Sequence, residues 1–167
     1  VGRGVPVMAL KFLYQALLRD AEGLAAATEG IHDRSRNKYS GPIHRQMRFL
    51  TSLDPLSAAS AVAGLDPAST LVISIALKGT EETSAATRTL KNWLLQGIGH
   101  SRRPDIICTK HMLLVTGSDR AAAANKPETV FLIPDHSRCE PFTTFTAATL
   151  LPLSIIFGWS IANEMLA

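Results

Sequence analysis

The stretch TLVISIALKGTEETSAATRTLKNWLL, Thr70 to Leu95, changes its apolar period at its middle. Leu71 to Leu77 is nearly continuous apolar sequence rich in β-branched residues, which suits a strand covered on both faces. From Glu81 onward the pattern is helical: Ala86, Leu90, Trp93 and Leu94 recur on one side, with Arg88 and Lys91 on others. Trp93 is expected to be largely buried against the sheet. Between the two halves stand Lys78, Gly79 and Thr80. Thr80 with Thr83 forms an N-cap signal, and Glu81 and Glu82 suit the positive end of a helix dipole. A strand, a short glycine-containing turn and a helix N-terminus make an anion site by geometry, because the first N–H groups of the helix lack intrahelical acceptors. Lys78, Gly79, Thr80 and Thr83 are therefore the candidate phosphate-binding residues. The turn is not a Walker loop, since the Gly-x4-Gly-Lys spacing is missing.

The 167 residues are 46% hydrophobic, which suffices for one domain with a substantial core. A net charge of +3 and a pI near 9.1 make the chain mildly basic. Arg34, Arg36, Lys38, His44, Arg45 and Arg48 concentrate that charge, accompanied by Tyr39 and Phe49 alone and by no nucleic-acid-binding motif. The cluster reads as a solvated loop, and no nucleic-acid partner is expected. Cys108 and Cys139 have no metal-like spacing and read as reduced thiols. Pro141 to Asn163 carries no charge over a length that would span a bilayer, but it is interrupted by Pro152 and Gly158 and holds several Thr and Ser residues. A buried helix is expected there, and no membrane span.

Outward from the opening stretch, apolar spacing predicts a helix over Val7–Leu18, then a polar loop over Gly23–Gly41 with room for one extra turn of helix. Gln46–Thr51 is a short strand candidate. Asp54-Pro55 introduces a helix over Leu56–Gly64, and Asp66-Pro67 turns the chain into the strand at Leu71, which together suggest a βαβ unit. Gly97–Asp105 reads as loop, His111–Val115 and Thr129–Ile133 as strands, Ser118–Asn125 as a short helix, and Phe145 to the end as helix. The alternation predicts an α/β fold: a three-layer sandwich with a central parallel sheet of four strands flanked by helices on both faces, and ligands at the C-terminal strand ends.

The segment LDPASTLVISIALKGTEETSAATRTLKNWLL resembles the first sugar-isomerase (SIS) domain of the glucose-6-phosphate isomerase family, which has an N/D-P-x-x-T-L-V entry, a buried strand, S-K-T-F-T-T-x-E-T and a helix with A/T-R-x-L-x-x-W. RFLTSLDP, KHMLLVT and LLPLSIIFGWSIANEMLA fall in matching order, so the resemblance covers nearly the whole chain. It implies a single SIS domain over residues 1–167, truncated at both ends, whose strand–turn–helix loop holds a sugar phosphate. Thr80, Glu82 and Thr83 match the second half of the phosphate loop, and Arg88, Leu90 and Trp93 match its helix. Without a gap, the family's Ser, Lys and Thr fall on Ile75, Ala76 and Leu77, and Lys78 is the nearest substitute. The family's Gly-Gly-Ser loop falls on Gly4-Val5-Pro6. Its Gly-Gly-Arg loop falls on Cys139-Glu140-Pro141, leaving Arg138, three residues before the lost arginine, as the candidate catalytic cation, with His136 nearby.

The resemblance further implies aldose–ketose isomerisation of glucose 6-phosphate and fructose 6-phosphate through a cis-enediol, with no metal and no cofactor. The family's glutamate base and ring-opening histidine belong to a later part of its polypeptide, so this chain alone is expected to be inactive. A cytoplasmic location (a plastid one as the alternative) and a homodimer of the full-length protein are also implied. The alternative is a non-catalytic phosphosugar-binding regulatory module, which the lost Ser, Lys and Arg positions would fit.

Overall fold

Val72–Ala76 forms β1, Met112–Thr116 forms β2 and Val130–Leu132 forms β3. In the computed structural model, which describes residues 1–28, 45–78, 80–99, 103–123, 129–133 and 140–167, these strands make one parallel sheet in the order β1-β2-β3. Val72 pairs with Met112 and Ala76 with Thr116, and Leu114 pairs with Val130. Parallel neighbours require crossovers, and helices supply them. α3 (Glu81–Ile98) and α4 (Pro104–His111) connect β1 to β2, and α5 (Asp119–Ala123) connects β2 to β3. The expected α/β class stands: a parallel sheet flanked by helices.

The first helix, expected over Val7–Leu18, runs from Val5 to Thr28 and takes in the start of the expected loop at Gly23. Three further expectations need correction. Gln46–Thr51 is not a strand, so the described sheet has three strands where four were expected, and the βαβ unit expected before β1 does not form. The place beside β1 is taken by the first residues of the chain. The Val1 nitrogen donates to the Ile73 carbonyl at 2.6 Å, Ile75 N–H donates to the Val1 carbonyl at 2.7 Å, and Gly2 forms a parallel bridge with Ile75. The Leu50 carbonyl in turn accepts from Gly2 N–H at 3.2 Å. Next, the expected loop Gly97–Asp105 ends in α4, whose first residue is Pro104, a position where the missing N–H is harmless. Finally, the apolar C-terminal helix is split by Gly158 (φ 96°) into α6 (Ala147–Phe157) and α7 (Trp159–Leu166). No described helix is long and apolar enough to cross a membrane.

The chain divides into two compact units. One comprises Val1–Gly4 and Arg48–Cys139, and the other Val5–Met47 and Glu140–Ala167. The core of the first joins Leu50, Val72, Ala86, Leu90, Leu94 and Ile107. Here α2 (Pro55–Val62) starts at Asp54, whose carboxylate accepts from Ser57 N–H at 2.8 Å and from the Ser57 hydroxyl at 3.0 Å. Those bonds to Ser57 hold the Asp54 carboxyl below its usual range. Arg48 closes the other end of α2 by donating to the Ala63 carbonyl at 2.6 Å. In the second unit, α1 (Val5–Thr28) and α6 bury Val7, Leu10, Ala148, Leu153 and Phe157. Tyr14 lies against Phe157 with ring centroids 6.0 Å apart, and Arg45 donates to the Ile155 carbonyl. Arg45 and Arg48 therefore serve backbone carbonyls within their own units, while Arg34, Arg36, Lys38 and His44 lie outside the described residues.

Gly97, near the end of α3, provides a sharp test of this packing. A Cβ built there would stand 2.2 Å from Pro67 Cγ and 2.8 Å from Pro67 Cβ, in the 3-10 turn Pro67–Ser69. Gly→Ala inside a helix ordinarily stabilises by about 0.5–1 kcal/mol. Gly97→Ala should instead destabilise by about 1–3 kcal/mol, the usual cost of overpacking, as read from urea midpoints.

Candidate functional site

β1 presents Val72, Ser74 and Ile75 as buried residues and Ile73 and Ala76 as half-buried ones, and Leu77 just beyond it is half-buried too. At its C-terminal end the backbone is held to β2. Thr116 Oγ1 donates to the Ala76 carbonyl at 2.9 Å and accepts from Ser118 N–H at 3.1 Å, and Gly117 N–H donates to the Leu77 carbonyl at 3.2 Å. The turn that follows runs through Lys78, which is exposed, to Thr80. Gly79 lies outside the described residues, as do His136, Arg138 and Cys139.

Thr80 caps α3 as its sequence predicts. It has extended backbone (φ −67°, ψ 149°), and its hydroxyl accepts from Thr83 N–H at 3.4 Å. The Thr80 and Thr83 hydroxyl oxygens are 3.0 Å apart. One proton suffices to bridge them, which leaves the pair one hydroxyl proton to donate elsewhere. Ser84 N–H and its hydroxyl both bond the Thr80 carbonyl, each at 3.1 Å. The first two N–H groups of the helix, at Glu81 and Glu82, have no intrahelical acceptor by helix geometry. The structure thus brings Thr80 and Thr83 into direct contact at the positive end of α3, at the C-terminal edge of the sheet, where α/β folds place their ligands.

Two features escaped the sequence reading. Arg3 forms an ion pair with Glu82, both side chains being about half exposed. Residues 79 positions apart in sequence carry no local signal of such a contact. The second is a hydroxyl link under the helix: Thr87 Oγ1 donates to the Thr83 carbonyl at 2.7 Å and lies 2.7 Å from Ser74 Oγ. Ser74 interrupts an apolar strand, and that interruption was its only visible signal. Trp93 is partly buried, not the expected anchor. Leu94 holds that place at 0% exposure, because the buried stripe runs Thr83, Ala86, Leu90, Leu94 and leaves Trp93 on its margin.

No family model matches the chain. Among curated proteins, cytosolic glucose-6-phosphate isomerase of Arabidopsis thaliana is 29% identical over 99% of this chain. Cytosolic glucose-6-phosphate isomerase A of Oryza sativa subsp. japonica is 30% identical over the same share, and that of Oenothera sinuata var. hirsuta is 32% identical over 73% of it. The chain spans about a quarter of the length of these relatives, 26%, 26% and 21% respectively. The resemblance drawn from the strand–turn–helix motif is the one the comparisons return, along almost the whole chain.

The cap itself is open to test. Thr80→Ala should cost about 1 kcal/mol of stability by removing the acceptor for Thr83 N–H, whereas Thr80→Ser should retain most of it. Thermal or urea denaturation of the two variants distinguishes them.

Proposed function

We propose that this chain, a divergent relative of the glucose-6-phosphate isomerases, is a phosphate-clamping SIS domain of an enzyme that interconverts glucose 6-phosphate and fructose 6-phosphate in the cytosol. The observation that carries the reading is the α3 N-terminus: a capped helix directly after β1, with Thr80 and Thr83 paired at its mouth, in a chain similar along 99% of its length to proteins named as that isomerase. The cytosolic part follows the names of those relatives.

In this reading the phosphate group sits against the Glu81 and Glu82 N–H groups, where the helix dipole favours a dianion. The remaining hydroxyl proton of the Thr80–Thr83 pair donates to a phosphate oxygen. Lys78 adds the positive charge that the family motif would place at Ala76. Isomerisation also needs an acid–base group within hydrogen-bond reach of the sugar carbons, and none of these residues supplies one. Arg138 is the proposed cation near the developing enediolate. The sugar phosphate is the sole proposed small-molecule partner, and a homodimer the proposed assembly.

One observation favours a second reading, binding without turnover. Ile75 is buried at 5% exposure, and Ala76 and Leu77 are half-buried, where the family motif has Ser, Lys and Thr. Their side chains offer a sugar phosphate no donor, as in a regulatory module that senses phosphosugars.

Calorimetric titration with glucose 6-phosphate tests the proposal. Charge-assisted bonds contribute roughly 1.5–3 kcal/mol each, so Lys78→Ala should weaken binding about tenfold or more. Thr83→Val, which keeps the shape and removes the hydroxyl, should weaken it by a smaller factor. Equal affinities for wild type and both variants would place the phosphate elsewhere. Isomerase assay of the full-length protein that carries this chain separates the two readings, since the sensor binds but does not turn over.

A further inference from the structure

The proposed phosphate position has two carboxylates beside it, Glu81 and Glu82, in the first turn of α3. A dianion brought to that turn meets their repulsion unless one of them is neutralised. Arg3 is placed to do this. The parallel bridge between Gly2 and Ile75 puts Arg3, one residue on, level with Ala76 at the end of β1. The backbone bonds of Val1 to Ile73 and Ile75, and of Gly2 to Leu50, hold that segment on the sheet. From this tether the Arg3 guanidinium reaches Glu82.

We propose that Arg3 is a phosphate-binding residue held in reserve by Glu82, and that ligand phosphate displaces the carboxylate as its partner. The inference rests on the phosphate reading of the β1–α3 junction and adds a residue which that reading does not use. Three physical points support it. An ion pair between side chains 58% and 51% exposed is weak and exchanges readily. A phosphate dianion offers the guanidinium fork a bidentate partner of higher charge than a carboxylate does. The Glu82 backbone N–H lies in the set of unpaired helix-start donors, so the cation that pairs its side chain already stands beside the anion position. The family motif has its cation on the strand–turn side, where this chain has Ala76. Here a tethered arginine from the neighbouring segment supplies a cation by another route.

The test is a pair of variants that break the same ion pair from opposite ends. Arg3→Gln and Glu82→Gln remove the same contact and should shift the melting temperature alike. Their effects on glucose 6-phosphate and inorganic phosphate binding should have opposite signs. Arg3→Gln should weaken binding about tenfold. Glu82→Gln should tighten it about threefold, because the arginine no longer has a competing partner. If wild type binds and both variants bind equally well, or both more weakly, Arg3 is merely part of a surface pair, and the phosphate reading survives without it. If wild type binds neither probe, the inference and the reading it rests on fall together.

Discussion

Thr87 has one hydroxyl proton, and it is committed to the Thr83 carbonyl 2.7 Å away. The Ser74 hydroxyl, also 2.7 Å from Thr87 Oγ1, is therefore the donor in that contact. This short chain of bonds ties the middle of β1 to the first turns of α3, with Ser74 itself at 3% exposure. Each such bond contributes about 1 kcal/mol net, and leaving a buried partner unsatisfied costs about 1–3 kcal/mol. Its larger consequence is geometric. Apolar packing through Ala86, Leu90 and Leu94 holds α3 in the core, but apolar contacts are non-directional. The hydroxyl link is directional, and it sets the height at which the Thr80–Thr83 cap meets the end of the sheet.

The remainder of the junction follows from that placement. Thr116 bonds the Ala76 carbonyl across to β2, so the strand end is held from the sheet side as well. On the other side of β1, Val1 and Gly2 complete the backbone pairing at Ile73 and Ile75. The helix start is thus fixed by the strand just before it, which two elements remote in sequence hold in turn. A rigid frame around a few unpaired N–H groups is what an anion site requires, because donors already held in place need no ordering when the ligand arrives.

How much of this could be read from the residues depends on whether the signal was local. The strand at Val72–Ala76 and the helix from Glu81 were legible, because a switch from continuous apolar sequence to a 3.6-residue period is a local property. Thr80 as N-cap was legible for the same reason. Gln46–Thr51 misled because its composition suits a strand, yet strand formation needs a neighbour, and Val1–Gly2 occupies the edge of β1. Trp93 misled because three- and four-residue spacing admits two candidates for one stripe, and only packing chooses between it and Leu94. α4 was hidden because its first residues, Pro104 and Asp105, fall in the stretch read as loop, although proline is well suited to the first helical position. At the helix start, the Thr80–Thr83 cap was legible and the Arg3–Glu82 pair was not, since a salt bridge between residues 3 and 82 exists only once the sheet has formed.

The central claim is that the start of α3 receives a phosphate group, and backbone amide NMR tests it most directly. Glucose 6-phosphate added to the labelled protein should move the amide resonances of Thr80 to Ser84 most strongly. Inorganic phosphate should move the same residues, and glucose should leave them in place. Shifts produced by glucose 6-phosphate away from this helix start, with Thr80 to Ser84 unmoved, would contradict the account.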